Sequence, residues 1–133
     1  MAAKKKLFFF ALAACAQAGP RAPPGYGLTR AGAVEVCLPP GERAFLKALR
    51  CPDGTAAETK LLGSAGARSP VADPERALLQ MDPGRPLAPG EPDLHPLTAF
   101  EARCGPQTTT LFLDMYHCPA KRPSAPEGFA LSE

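Results

Sequence analysis

The clearest apolar–polar patterning in the chain lies between residues 97 and 118, LTAFEARCGPQTTTLFLDMYHC. Two arms, Leu97–Cys104 and Thr108–Cys118, are rich in Thr, Phe, Leu and Tyr, and Gly105-Pro106-Gln107 between them is turn chemistry. The stretch therefore predicts a β-hairpin. Setting Cys104 against Thr108 places Phe100 opposite Phe112, Ala99 opposite Leu113 and Leu97 opposite Met115, apolar pairs that stabilise antiparallel strands. A one-residue slip sets Leu97 against Asp114 or Tyr116, which favours the first register. In that register Phe100, Phe112 and Tyr116 share one face, either covered by a loop or open as a docking surface.

Upstream, Ala33–Leu38 (AVEVCL) alternates as a strand with Val34, Val36 and Leu38 on one face, ended by Pro39-Pro40-Gly41. Glu42–Arg50 is the strongest helix, with Ala44, Phe45, Ala48 and Leu49 as its apolar stripe and Pro52 as its stop. Thr55–Leu62 reads as extended and Gly63–Gly66 as a loop lacking the lysine and spacing of a phosphate-binding motif. Asp73-Pro74-Glu75 opens a short helix running to Met81, anchored by Leu78 and Leu79. Residues 82–96 form a proline-rich loop too long for a simple connection, hence functional or mobile. Residues 119–133 show no apolar periodicity and read as a disordered tail. Together these elements predict an α+β fold in one small domain over residues 32–118. One main helix, about 42–50, packs on a three- to four-stranded, mainly antiparallel sheet that ends in the hairpin (97–104, 108–118).

The N-terminus bears on location. Lys4, Lys5 and Lys6 precede an apolar run, Leu7–Ala14, far short of the about 20 residues a spanning helix needs. Residues 1–14 have the form of a secretory signal. Within it, Leu12-Ala13-Ala14-Cys15 resembles the lipobox of bacterial lipoproteins, a resemblance that covers the signal and not the fold. It implies that Cys15 is lipidated and becomes the first residue of the mature chain, with residues 15–31 as a flexible, Pro- and Gly-rich tether. The implied location is the bacterial cell envelope. Ala16 after the cysteine is similar to the pattern that sorts lipoproteins to the outer membrane, facing the periplasm. Cleavage after Ala18 instead releases a soluble secreted factor.

Charge then matters less than it first suggests. Loss of residues 1–14 takes three lysines from 15 basic side chains and none from 13 acidic ones, leaving 12 against 13 and a formal charge of −1. No basic patch argues for nucleic acid. The expected partners are the membrane, through the lipid, and an unidentified envelope protein.

Four cysteines remain in the mature domain: Cys37, Cys51, Cys104 and Cys118. An even number in an exported chain predicts two disulfides, and a four-thiol zinc site lacks its CxxC spacing. Along the hairpin Cys104 and Cys118 stand on the order of 30 Å apart, which rules out their bridging each other. Two pairings stay open: 37–118 with 51–104, or 37–104 with 51–118.

For chemistry, the predicted register sets His95 opposite His117, a pair suited to Zn²⁺ or Cu²⁺, with Asp114 nearby but on the opposite face. Pro96 interrupts the arm beside His95. No serine sits in a nucleophile elbow, bridged cysteines offer no thiolate, and Glu101 with Asp114 read as solvated strand charges. The function expected is a non-catalytic binding or scaffolding module of the envelope without a cofactor; the alternative is a small periplasmic metal-binding protein using His95 and His117.

Overall fold

The computed structural model describes residues 22–83 and 85–133. The signal, Cys15 and both cleavage alternatives lie outside the described residues. In chain order the elements are β1 (Val34–Glu35), α1 (Leu38–Ala48), β2 (Leu49–Arg50), β3 (Glu58–Ala67), α2 (Pro74–Leu79), β4 (Pro96–Cys104), β5 (Gln107–Asp114) and β6 (Ala130–Leu131). The fold is α+β. A four-stranded mixed sheet has the order β1-β5-β4-β3, with β1 parallel to β5 and the other pairs antiparallel, and β2 pairs with β6 in a second sheet.

The hairpin forms, one residue away from the predicted register. Cys104 faces Gln107, Phe100 faces Leu111 and Thr98 faces Leu113. The loop is thus two residues long, with Gly105 at φ 58°. A positive φ there followed by proline, whose φ is fixed near −65°, is the pattern of a type II′ turn. The shift has a packing reason: it puts Phe100, Ala102, Leu111 and Leu113 on one face, where all four are buried. Phe112 pairs with Ala99 and points to the other face. The predicted docking face of Phe100, Phe112 and Tyr116 therefore does not exist as one surface.

Helix α1 starts four residues earlier than predicted. Pro39 and Pro40 lie in its first turn, where N–H groups have no intrahelical partner and proline costs nothing. From it Phe45, and from β2 Leu49, pack with Val34, Val36, Phe100, Ala102, Leu111 and Leu113 to make the core. Leu38, expected to face inward, is exposed to 39%.

Strand β3 runs on through Gly63–Gly66, predicted as a loop, by means of irregularities in its pairing with β4 between Leu61 and Gly63 and between Ser64 and Gly66. Two segments expected to be loose are folded. In the supposed tether, Tyr26 and Leu28 pack on the core, and the Gly27 carbonyl accepts the Phe112 N–H at 2.9 Å. In the supposed tail, Pro126 is fully buried, Phe129 and Leu131 pack on the core, and the Ser132 N–H donates to the Ala48 carbonyl at 2.8 Å.

Disulfides join Cys37 to Cys118 and Cys51 to Cys104, across 81 and 53 residues of chain. Loops of that length make each bridge worth roughly 4 kcal/mol in the chain-entropy model. Among the described residues no helix is long and apolar enough to cross a membrane.

Candidate metal centre

The open end of the hairpin, opposite its turn, gathers the charged side chains. Asp114 ends β5, and its Oδ1 accepts the N–H of Tyr116 at 2.9 Å, an Asx turn that bends the chain and brings His117 back over the strand end. Beyond Tyr116, which bridges to Cys37, the Cys37–Cys118 disulfide fixes the residue next to His117. On the other arm, Asp93 Oδ1 accepts the His95 N–H at 3.0 Å, a second Asx turn immediately before β4. The His95 carbonyl accepts the Arg68 N–H at 3.0 Å and extends the β3–β4 pairing past the strands. Gln80, just after α2, ties this loop down: its amide donates to Glu91 and to the Pro92 carbonyl, and its Oε1 accepts the Leu94 N–H at 2.7 Å.

Four side chains converge. One donor atom from each of Asp93, His95, Asp114 and His117 falls within 4.8 Å of the others. His95 Nδ1 stands 3.1 Å from His117 Nε2 and 3.3 Å from Asp114 Oδ2, and His117 Nε2 lies 3.4 Å from the same Oδ2. A tetrahedral zinc site with bonds of about 2.0–2.1 Å has donor–donor edges of about 3.3 Å. Asp93 reaches both rings more tightly, with Oδ1 at 2.8 Å from His95 Nδ1 and Oδ2 at 2.7 Å from His117 Nε2.

The tautomer suits the role. His95 Nε2 lies 2.6 Å from the Gln80 carbonyl, which only accepts, so that nitrogen carries a hydrogen and Nδ1 is the ring atom left facing the cluster, against Asp93 Oδ1 at 2.8 Å. Histidines that ligate metals usually anchor their other nitrogen this way. The ring also stacks on Tyr116, centroids 5.5 Å apart.

The electrostatics favour a cation. Asp114 is wholly buried and its Oδ2 accepts no hydrogen bond. Burial works to raise the Asp93 carboxyl, but its hydrogen bonds to the His117 ring and the His95 N–H, with the His95 ring and then Arg68 nearby, hold it down to about 2. His117 is pushed above the usual histidine range, chiefly by its hydrogen bond to Asp93, against the effect of burial. Arg68 flanks the cluster, 3.6 Å from Asp93, 3.5 Å from Asp114 and 3.8 Å from Glu35. A cleft of about 230 Å³, walled by Pro83, Pro86 and Leu87 of the proline-rich loop, opens onto His95 and His117.

The structure thus brings His95 and His117 together, although both lie outside the strand ladder. It adds Asp114, expected on the opposite face, because the Asx turn after β5 breaks the strand alternation that argument relied on. Asp93, Gln80 and Arg68 were not singled out from sequence. Asp93-Leu94-His95 beside Pro92 carried a local signal, an Asx-turn spacing, whereas Arg68 carried none. Comparison with protein-family models, curated proteins and solved structures finds no match.

Proposed function

We propose that this is an exported envelope protein whose non-catalytic task is to bind one divalent transition-metal ion, Zn²⁺ by preference, through His95 Nδ1, His117 Nε2, Asp93 and Asp114. One observation carries the reading: a fully buried carboxylate oxygen, Asp114 Oδ2, accepts no hydrogen bond and faces two imidazole nitrogens at tetrahedral spacing. Mixed imidazole and carboxylate donors suit Zn²⁺ and disfavour Mg²⁺ or Ca²⁺, which prefer oxygen alone. Four protein ligands fill a tetrahedral ion and leave no position for a reacting water, which supports binding rather than catalysis. The lipobox-like Leu12–Cys15 supports anchoring to the envelope membrane through Cys15.

Calorimetric titration of the oxidised protein with Zn²⁺ is expected to show one equivalent bound, lost in both Asp114→Asn and His117→Ala. Absence of stoichiometric binding, or binding unchanged in both variants, overturns the reading. Intact mass of the exported protein tests the anchor: a mass above that of the polypeptide beginning at Cys15 supports acylation, and a chain beginning at Gly19 shows a soluble product.

A further inference from the structure

We infer that Arg68 is the resident counter-cation of this centre, displaced by the incoming ion, so that the site takes up and surrenders its metal as a carrier does. The inference rests on the metal-binding reading above. The guanidinium stands against the oxygens an ion would use: Nε is 3.6 Å from Asp93 Oδ2 and Nη2 is 3.5 Å from Asp114 Oδ2. Well-formed arginine–carboxylate pairs make parallel bonds of about 2.7–2.9 Å. Here the charge is near but loosely held. Nε is buried without a hydrogen-bond partner, and Nη2 donates to the Ala33 carbonyl at 3.1 Å.

Glu35 supplies the place to which Arg68 retreats. Its carboxylate lies 3.8 Å from Arg68 Nη1 and 3.8 Å from His117 Nδ1, with 41% of the side chain exposed. Once the imidazoles are neutral, as ligation requires, Glu35, Asp93 and Asp114 against Arg68 leave two negative charges, which a divalent ion balances. The donors are also held without an ion, by two Asx turns, by Gln80 and by the neighbouring disulfide. Structural zinc domains differ, since in them binding and folding are one event. A preassembled site with its own competing charge, open to a cleft at His117, is suited to exchange.

The test is competition for Zn²⁺ between a chromophoric chelator and the oxidised protein, as wild type, Arg68→Gln, Glu35→Gln and the double variant. Removing a unit charge a few ångströms from the ion is expected to tighten Arg68→Gln binding at least about tenfold and to slow release to the chelator. Glu35→Gln is expected to weaken binding more in the wild-type background than once Arg68 is gone, a coupling that the double variant reads directly; the effect that persists without Arg68 reports the contact of Glu35 with His117. Unchanged or weaker binding by natively folded Arg68→Gln, or an equal Glu35→Gln effect in both backgrounds, overturns the role of Arg68. Failure of the wild type to bind zinc overturns the metal reading itself. If Arg68→Gln lacks native near-UV circular dichroism, Arg68→Lys decides: it keeps the charge and is expected to bind as the wild type does, and a large change in either direction overturns the inference.

Discussion

Leu38 enters α1 at φ 58°, in the left-handed region where a Cβ costs roughly 1–2 kcal/mol. Its neighbours impose the conformation: its N–H donates to the Met115 carbonyl at 2.8 Å, Cys37 before it is bridged, and Pro39 follows. Because the side chain is exposed, comparing Leu38→Gly with Leu38→Ala isolates the Cβ. The glycine variant is expected to be the more stable of the two by about 1 kcal/mol in urea titration. The ionised residues of the centre make a second residue-scale prediction. Asp93, held at about 2 against an ordinary 3.8, contributes stability that is complete above pH 3.8 and lost as pH falls toward 2. His117, raised from 6.5, contributes stability that is complete below pH 6.5 and lost as pH climbs through its raised value. In chelator-treated buffer, Tm measured against pH is expected to decline on both sides of that window. Because the Asp93–His117 hydrogen bond is the main favourable cause of both shifts, Asp93→Asn and His117→Ala are each expected to flatten both limbs.

Short elements show where local chemistry informs and where it stops. The start of α2 was legible because Asp73 and Pro74 act on their own turn, and Asp73 does cap the N–H groups of Glu75 and Arg76. Its anchor was not. A helix of six residues has no resolvable stripe, and Leu78 and Leu79 stay exposed while Gln80 is buried. Accordingly Leu78→Ala and Leu79→Ala are expected to shift stability by no more than about 0.5 kcal/mol. Gln80→Ala leaves the buried Leu94 N–H without an acceptor, is expected to cost about 1–3 kcal/mol by thermal or urea unfolding, and weakens zinc binding by freeing the loop that carries Asp93 and His95. The prolines after Leu38 misled because the same residue both stops strands and opens helices. The glycines of β3 misled because a bulge and a loop have the same composition. The hairpin register was one off because two- and three-residue loops both fit Gly105-Pro106-Gln107, and apolar residues on both faces blunt the pattern that chooses between them.

At the scale of the molecule, the α+β class and the one principal helix were readable from periodicity. The parallel contact of β1 with β5 and the pairing of two-residue strands β2 and β6 were not, since neither element is long enough to show a period. The disulfide pairing follows from how the helix lies on the hairpin. Cys37 precedes α1 and meets Cys118 beyond the open end, while Cys51, past the other helix end, meets Cys104 at the turn. Replacing either pair by serine is expected to cost roughly 4 kcal/mol in urea unfolding. Zinc titration of the folded fraction separates them: loss of Cys37–Cys118 lowers affinity because His117 adjoins it, and loss of Cys51–Cys104 does not. The turn of the hairpin is thus tied covalently to the segment after the helix, while Asp93 with His95 and Asp114 with His117 sit on different arms at its mouth. A slip of a single residue would turn the side chains of one arm to the other face and carry Asp114 away from Asp93. The four-residue cluster is therefore an internal gauge of the hairpin: it closes only when the two arms have come together in step.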